Sequence, residues 1–151
     1  MRLGFIAVIL TVLCGCTTVQ IPDYIKADHP YVRKIYGDYD KITSAVYHVL
    51  ARNGWKVHSQ TQPSVYERPE GGRENTEKDL LLFSQVRQHS MILYSSYTHL
   101  NAFIHATADG AEVELRYGKV TPLVKQFRSN RNDQLVKRLL TQIEQEVLEG
   151  K

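Results

Sequence analysis

Past residue 16 the chain has no cysteine, because its two cysteines are Cys14 and Cys16. The body of the chain is therefore not stapled by disulfides, and it holds no thiolate metal centre. The uncharged apolar run Leu3 to Leu13 is too short for a membrane-spanning helix, which needs roughly 18 such residues. Gly-x-Ser-x-Gly, His-Glu-x-x-His, a phosphate-cradling glycine loop and an EF-hand loop are all missing. No internal repeat or low-complexity tract appears. Charge of one sign is also missing: 19 Lys and Arg face 16 Asp and Glu among 151 residues, a net +3 and too weak a balance for a nucleic-acid partner.

The first 16 residues carry the strongest signal that is present. Arg2 precedes the apolar run, and Leu13-Cys14-Gly15-Cys16 closes it. Charge, apolar core and small-residue exit are the layout of an export signal. The ending resembles the lipobox of bacterial lipoproteins. That resemblance implies diacylglyceryl transfer to the Cys16 thiol and cleavage before it, which makes residues 1–15 a signal peptide and lipidated Cys16 the membrane attachment. Two or more acyl chains bind a bilayer stably. Thr17 follows Cys16, where an Asp would favour inner-membrane retention in the family. The resemblance thus implies an outer-membrane lipoprotein facing the periplasm. Without the signal, 18 basic residues remain against 16 acidic ones.

Residues 16–30 read as a lipidated tether, with Pro22 and Pro30 and little apolar periodicity. Extended, it spans on the order of 45 Å at about 3.3 Å per residue. Docking of Tyr24 and Ile25 on the domain is the alternative. Residues 31–151 read as one periplasmic domain. Tyr31 to Tyr36 suggests a strand of uncertain register. Ile42, Ala45, Val46, Val49 and Leu50 mark one stripe of a helix over about Asp40 to Asn53, with Asp38 or Asp40 as N-cap and Gly54 as stop. A strand follows from Trp55. Arg68 to Asp79 reads as a charged surface loop, and Leu80 to about Val86 as a buried strand with a short helix as its rival.

Leu100, Ala102, Ile104 and Ala106 alternate with polar residues, as do Val113, Leu115 and Tyr117. An Asp109-Gly110 type I′ turn between them predicts the pairs Ala106–Val113, Ile104–Leu115 and Ala102–Tyr117. It also predicts that His105 faces Glu114 and Phe103 faces Arg116, on a solvent-exposed side of the hairpin. Gly118 to Arg131 reads as a connector. Leu135, Val136, Leu139, Leu140, Ile143, Val147 and Leu148 mark a second helix capped by Asn132 or Asp133.

This order predicts an α+β fold, an antiparallel sheet with two amphipathic helices packed on one face. Tyr39-Asp40-Lys41-Ile42, Asn53-Gly54-Trp55-Lys56-Val57 and Asp109 to Arg116 resemble small periplasmic lipoproteins with a helix-grip type domain. Among these are uncharacterised lipoprotein families and the C-terminal domains of the accessory C subunit of the outer-membrane β-barrel assembly machinery. The resemblance implies fold and compartment and carries over no functional residue.

Chemistry has few candidates. His99 and His105 share a strand face but stand roughly 20 Å apart, too far to hold one ion. Two surfaces remain. One is basic: Lys119, Lys125, Arg128, Arg131, Lys137 and Arg138 fit anionic lipid or an acidic partner. The other is aromatic: Tyr24, Tyr31, Tyr36 and Tyr39 lie close in sequence to the tether. The sequence therefore reads as a non-enzymatic interaction or envelope-assembly module that has no cofactor and binds an envelope protein. A carrier of small apolar ligands or lipid, with its pocket between sheet and helix, is the alternative.

Overall fold

The computed structural model describes residues 21–26, 31–67, 78–90, 95–121 and 132–150, and residues 124–128 as backbone. The fold is α+β. Its elements in order are β1 (Tyr31–Tyr36), α1 (Tyr39–Arg52), β2 (Val57–Thr61), β3 (Leu80–Ser84), β4 (Arg87–Ser90), β5 (Ser95–Thr107), β6 (Gly110–Thr121), β7 (Val124–Arg128) and α2 (Asp133–Glu149). A 3-10 turn, Pro63–Val65, follows β2. Among the described residues, no helix is long and apolar enough to cross a membrane.

The long β5–β6 hairpin is the spine of a seven-stranded sheet in the order β1-β6-β5-β3-β2. β3 and β4 pair with successive halves of β5, and β1 and β7 with successive halves of β6, every pair antiparallel. The described part of the stretch read as a connector is thus the end of β6 and strand β7. β4 was not legible as a separate strand. Residues 68–77 of the charged loop, and Met91 to Tyr94, lie outside the described residues.

Both helices end as their sequences dictate. The Asp38 carboxylate accepts from the Lys41 backbone N–H at 3.1 Å, and Gly54 takes φ +78° just past α1. Asn132 caps α2 through the Leu135 N–H. Ile42, Ala45, Val46, Val49 and Leu50 of α1 meet Val136, Leu139, Leu140, Ile143 and Val147 of α2 over Leu100, Ala102, Ile104, Ala111, Val113 and Leu115 of the spine. Each fully buried aliphatic side chain contributes roughly 1.5–3 kcal/mol of transfer free energy. Leu148, expected in the α2 stripe, is exposed.

The hairpin register differs from expectation by two residues. Ile104 pairs with Val113, Ala102 with Leu115 and Ala106 with Ala111. Thr107 pairs with Gly110, so Ala108 and Asp109 form the turn, and neither has positive φ. The type I′ reading assumed that Gly110 supplies such a φ. Its glycine is required instead by the approach of β1, because a Cβ there would stand 2.1 Å from the Ile35 carbonyl oxygen. A shift of two preserves which face each side chain takes. The core residues are therefore as expected, and the cross-strand partners are not.

Candidate site on the second sheet face

The face of the sheet opposite the helices was expected to meet solvent. It is covered. His99, Asn101 and Phe103 on β5 are fully buried, and Glu114 and Arg116 on β6 are nearly so. Leu81 and Phe83 of β3 join Phe103 in a second apolar cluster, with Tyr24 against it. Residues 21–26, inside the stretch read as a tether, make the docking contact that the alternative reading allows. Ile25 has 0 % exposure.

Asn101 organises this docking. Its Oδ1 accepts the Ile25 backbone N–H at 2.7 Å, and its Nδ2 donates to the Asp23 carbonyl at 3.0 Å. His99 Nδ1 stands 3.3 Å from the Pro22 carbonyl, which can only accept, so Nδ1 carries the proton. Tyr24 stacks on Tyr66 with ring centroids 5.0 Å apart and meets Phe103 edge-on at 6.5 Å.

Arg116 lies at the centre of the covered face. Its Nη1 donates to Glu67 Oε1 at 2.6 Å, to Tyr24 Oη at 3.0 Å and to the Ile25 carbonyl at 3.2 Å. Its Nη2 reaches Glu67 Oε2 at 3.2 Å, and its Nε donates to Glu114. The Tyr24 hydroxyl also donates to Glu67. The guanidinium lies 3.9 Å over the Phe103 ring. Burial opposes the charge on Arg116, and the Glu67 and Glu114 carboxylates outweigh it, so its pKa is raised. Every nitrogen of the guanidinium has an acceptor. This is the geometry of a clamp.

The expected pairing of His105 with Glu114 does not form. Glu112 stands opposite His105, and Glu114 stands opposite Phe103. Asp79 is the acid beside His105, with Oδ2 at 3.5 Å from Nδ1 and Oδ1 accepting the Ala106 N–H at 3.0 Å. Asn101, not Phe103, faces Arg116 across the hairpin. Among the described residues, no three His, Cys, Asp or Glu side chains are grouped to hold a metal ion.

The basic set is divided among elements. Lys119 lies on β6 opposite Arg128 of β7, which also carries Lys125. Lys137 and Arg138 are exposed on α2. Arg131 lies outside the described residues, as does Cys16. The four tyrosines do not form one patch. Tyr24 is on the second face, Tyr31 and Tyr39 pack against the helix-side core, and Tyr36 is exposed beneath Lys34.

Signals for the second face were present in the sequence. Leu80-Leu81-Leu82-Phe83 is apolar on both of its faces, and Phe103 sits among the polar residues of β5. Strict alternation would have left Phe103, Leu81 and Phe83 in water.

Burial pushes the His99 imidazole below its ordinary value of 6.5, while the Pro22 carbonyl and Asp23 favour the charged form and His58 opposes it. A depressed imidazole pKa means that the unfolded chain binds the proton more tightly, so stability falls as pH drops through about 6.5. Wild type is expected to lose more stability between pH 7.5 and 5 than His99→Gln, by urea unfolding at both pH values. Equal losses in the two proteins would remove His99 as the cause.

No model of a known protein family matches this chain, and no curated protein matches it significantly.

Proposed function

We propose that this chain is a bacterial lipoprotein, anchored by acylated Cys16 in the outer membrane and facing the periplasm, where it serves as a non-enzymatic interaction module for an envelope protein. The observation that carries the reading is Leu13-Cys14-Gly15-Cys16 at the end of the apolar run behind Arg2. The α+β layer is in keeping with the resemblance to small envelope lipoprotein domains. A binding role, and not turnover, is favoured because the most elaborate polar cluster spends the donors of Arg116 on the protein's own groups. Lys137 and Arg138 on α2, and Val32 and Tyr36 on the outer side of β1, remain exposed for contact.

Cys16→Ser is expected to abolish palmitate labelling and to release the chain from the membrane fraction, because the acyl chains supply the anchor. Labelling that persists in this variant would overturn the anchor. Crosslinking in intact envelopes followed by affinity purification identifies the partner. Recovery of the chain free of any crosslinked protein would overturn the module.

A further inference from the structure

Residues 22–25 are held without a strand ladder. The sheet receives them through side chains that rise from its face, and those side chains mostly contact backbone. A primary amide presents the same donor and acceptor as a peptide group. Asn101 therefore offers one rung of a ladder, accepting from Ile25 N and donating to Asp23 O. His99 takes the Pro22 carbonyl before that rung, and Arg116 takes the Ile25 carbonyl after it. Backbone recognition of this kind is indifferent to sequence. Selectivity falls to two side chains. Tyr24 stacks on Tyr66 and touches Phe103, and Ile25 is wholly buried. Pro22, Asp23 and Lys26 point to solvent and impose little.

We propose that this face is a peptide-binding site, filled in cis by residues 22–25, and that it takes an extended segment of a partner polypeptide carrying an aromatic residue followed by an aliphatic one. The occupant already present defines that ligand class. Only residues 26–30 separate the docked segment from β1, so the effective concentration of the cis occupant is high, and a partner competes only when the segment is displaced. Displacement has a handle in the chain itself. Cys16 precedes Pro22 by six residues, a span of about 20 Å when extended. Pull from the membrane anchor therefore acts directly on the docked segment. The biological use rests on the interaction-module reading, whereas the binding itself does not depend on the anchor.

The test uses the chain with Cys16→Ser, a further Tyr24→Gly/Ile25→Gly substitution to weaken the cis occupant, and a fluorescein-labelled peptide with the sequence of residues 21–26 as probe. Fluorescence anisotropy is expected to show saturable binding, at least about tenfold tighter than to the chain with Tyr24 and Ile25 intact. Adding Asn101→Leu is expected to weaken it by about tenfold or more. Ile25→Ala alone serves as the milder variant should the double glycine change prevent folding, with circular dichroism as the check. Absence of saturable binding to a folded variant overturns the proposal, as does binding unaffected by Asn101→Leu. A dimer of the intact chain that exchanges residues 22–25 between copies would assign the site to a second copy and overturn the partner assignment. Palmitate labelling is an independent readout, so failure here leaves the anchor untouched.

Discussion

Replacing Arg116 with alanine is expected to lower the free energy of unfolding by about 3–5 kcal/mol, the cost typical of removing one partner from a buried charge cluster. Glu114 then keeps a desolvated carboxylate beside that of Glu67, with the cation between them gone. Glu67 is about one-third exposed and regains some hydration, which places the effect at the lower end of that range. The Ile25 carbonyl and the Tyr24 hydroxyl lose a donor in the same change, so the Ile25 N–H, which donates to Asn101, is expected to exchange its proton faster. A second variant separates charge from packing. Arg116→Leu with Glu114→Leu removes both members of the inner pair, and well-packed apolar groups in place of a buried pair are often neutral. The double variant is expected to recover at least half of the loss. Urea unfolding measures both. An Arg116→Ala protein within about 0.5 kcal/mol of wild type would mean that the cluster is solvated and its charges are screened.

Local rules made much of this fold legible. Helix α1 follows from its stripe, the Asp38 cap and the Gly54 stop, all within one short stretch where propensity, capping and burial agree. The apolar alternation of β5 and β6 gave the helix-side core correctly, because parity survives a register shift of two. The partners across the hairpin were misread because Gly110 has a second physical use. Glycine is needed there for the approach of the Ile35 carbonyl, a constraint from a strand more than 70 residues earlier. No local pattern encodes it.

The second face was missed for a different reason. Alternation separates apolar from polar side chains and equates polar with solvent. His99, Asn101, Glu114 and Arg116 are polar and buried together, which is stable because they supply one another, and residues 22–25, with hydrogen-bond partners. Such a layer depends on which segments converge: the residues before β1, the turn at Tyr66 and Glu67, and the centre of the hairpin. Its members lie up to 94 positions apart in sequence, from Pro22 to Arg116. Glu114-x-Arg116 shows their shared face, and nothing adjacent shows what covers it.

The two faces of β5 differ in what they can absorb, and Ile104→Asp tests the apolar one. Ile104 has 0 % exposure and stands in register with Val113 on one side and Leu80 on the other, within the cluster that both helices close. The change loses the packing of a buried aliphatic side chain and puts a carboxyl in its place. Unpaired burial of that group costs several kcal/mol. The variant is expected to lose more than about 4 kcal/mol, a large share of the 5–15 kcal/mol typical of a domain. Its pH dependence carries a defined sign. Desolvation raises the folded pKa of the introduced carboxyl above its unfolded value of about 3.9. The folded state then holds the proton more tightly, so the penalty grows as pH rises above about 4 and eases on acidification. Thermal melts at pH 4 and pH 7 are expected to differ less from wild type at pH 4. Val86→Asp is the control, between β3 and β4 at 41 % exposure, where a carboxylate keeps its water and the expected change is within about 0.5 kcal/mol. Similar melts for Ile104→Asp and Val86→Asp would put residue 104 in solvent and break the layer of helices on sheet.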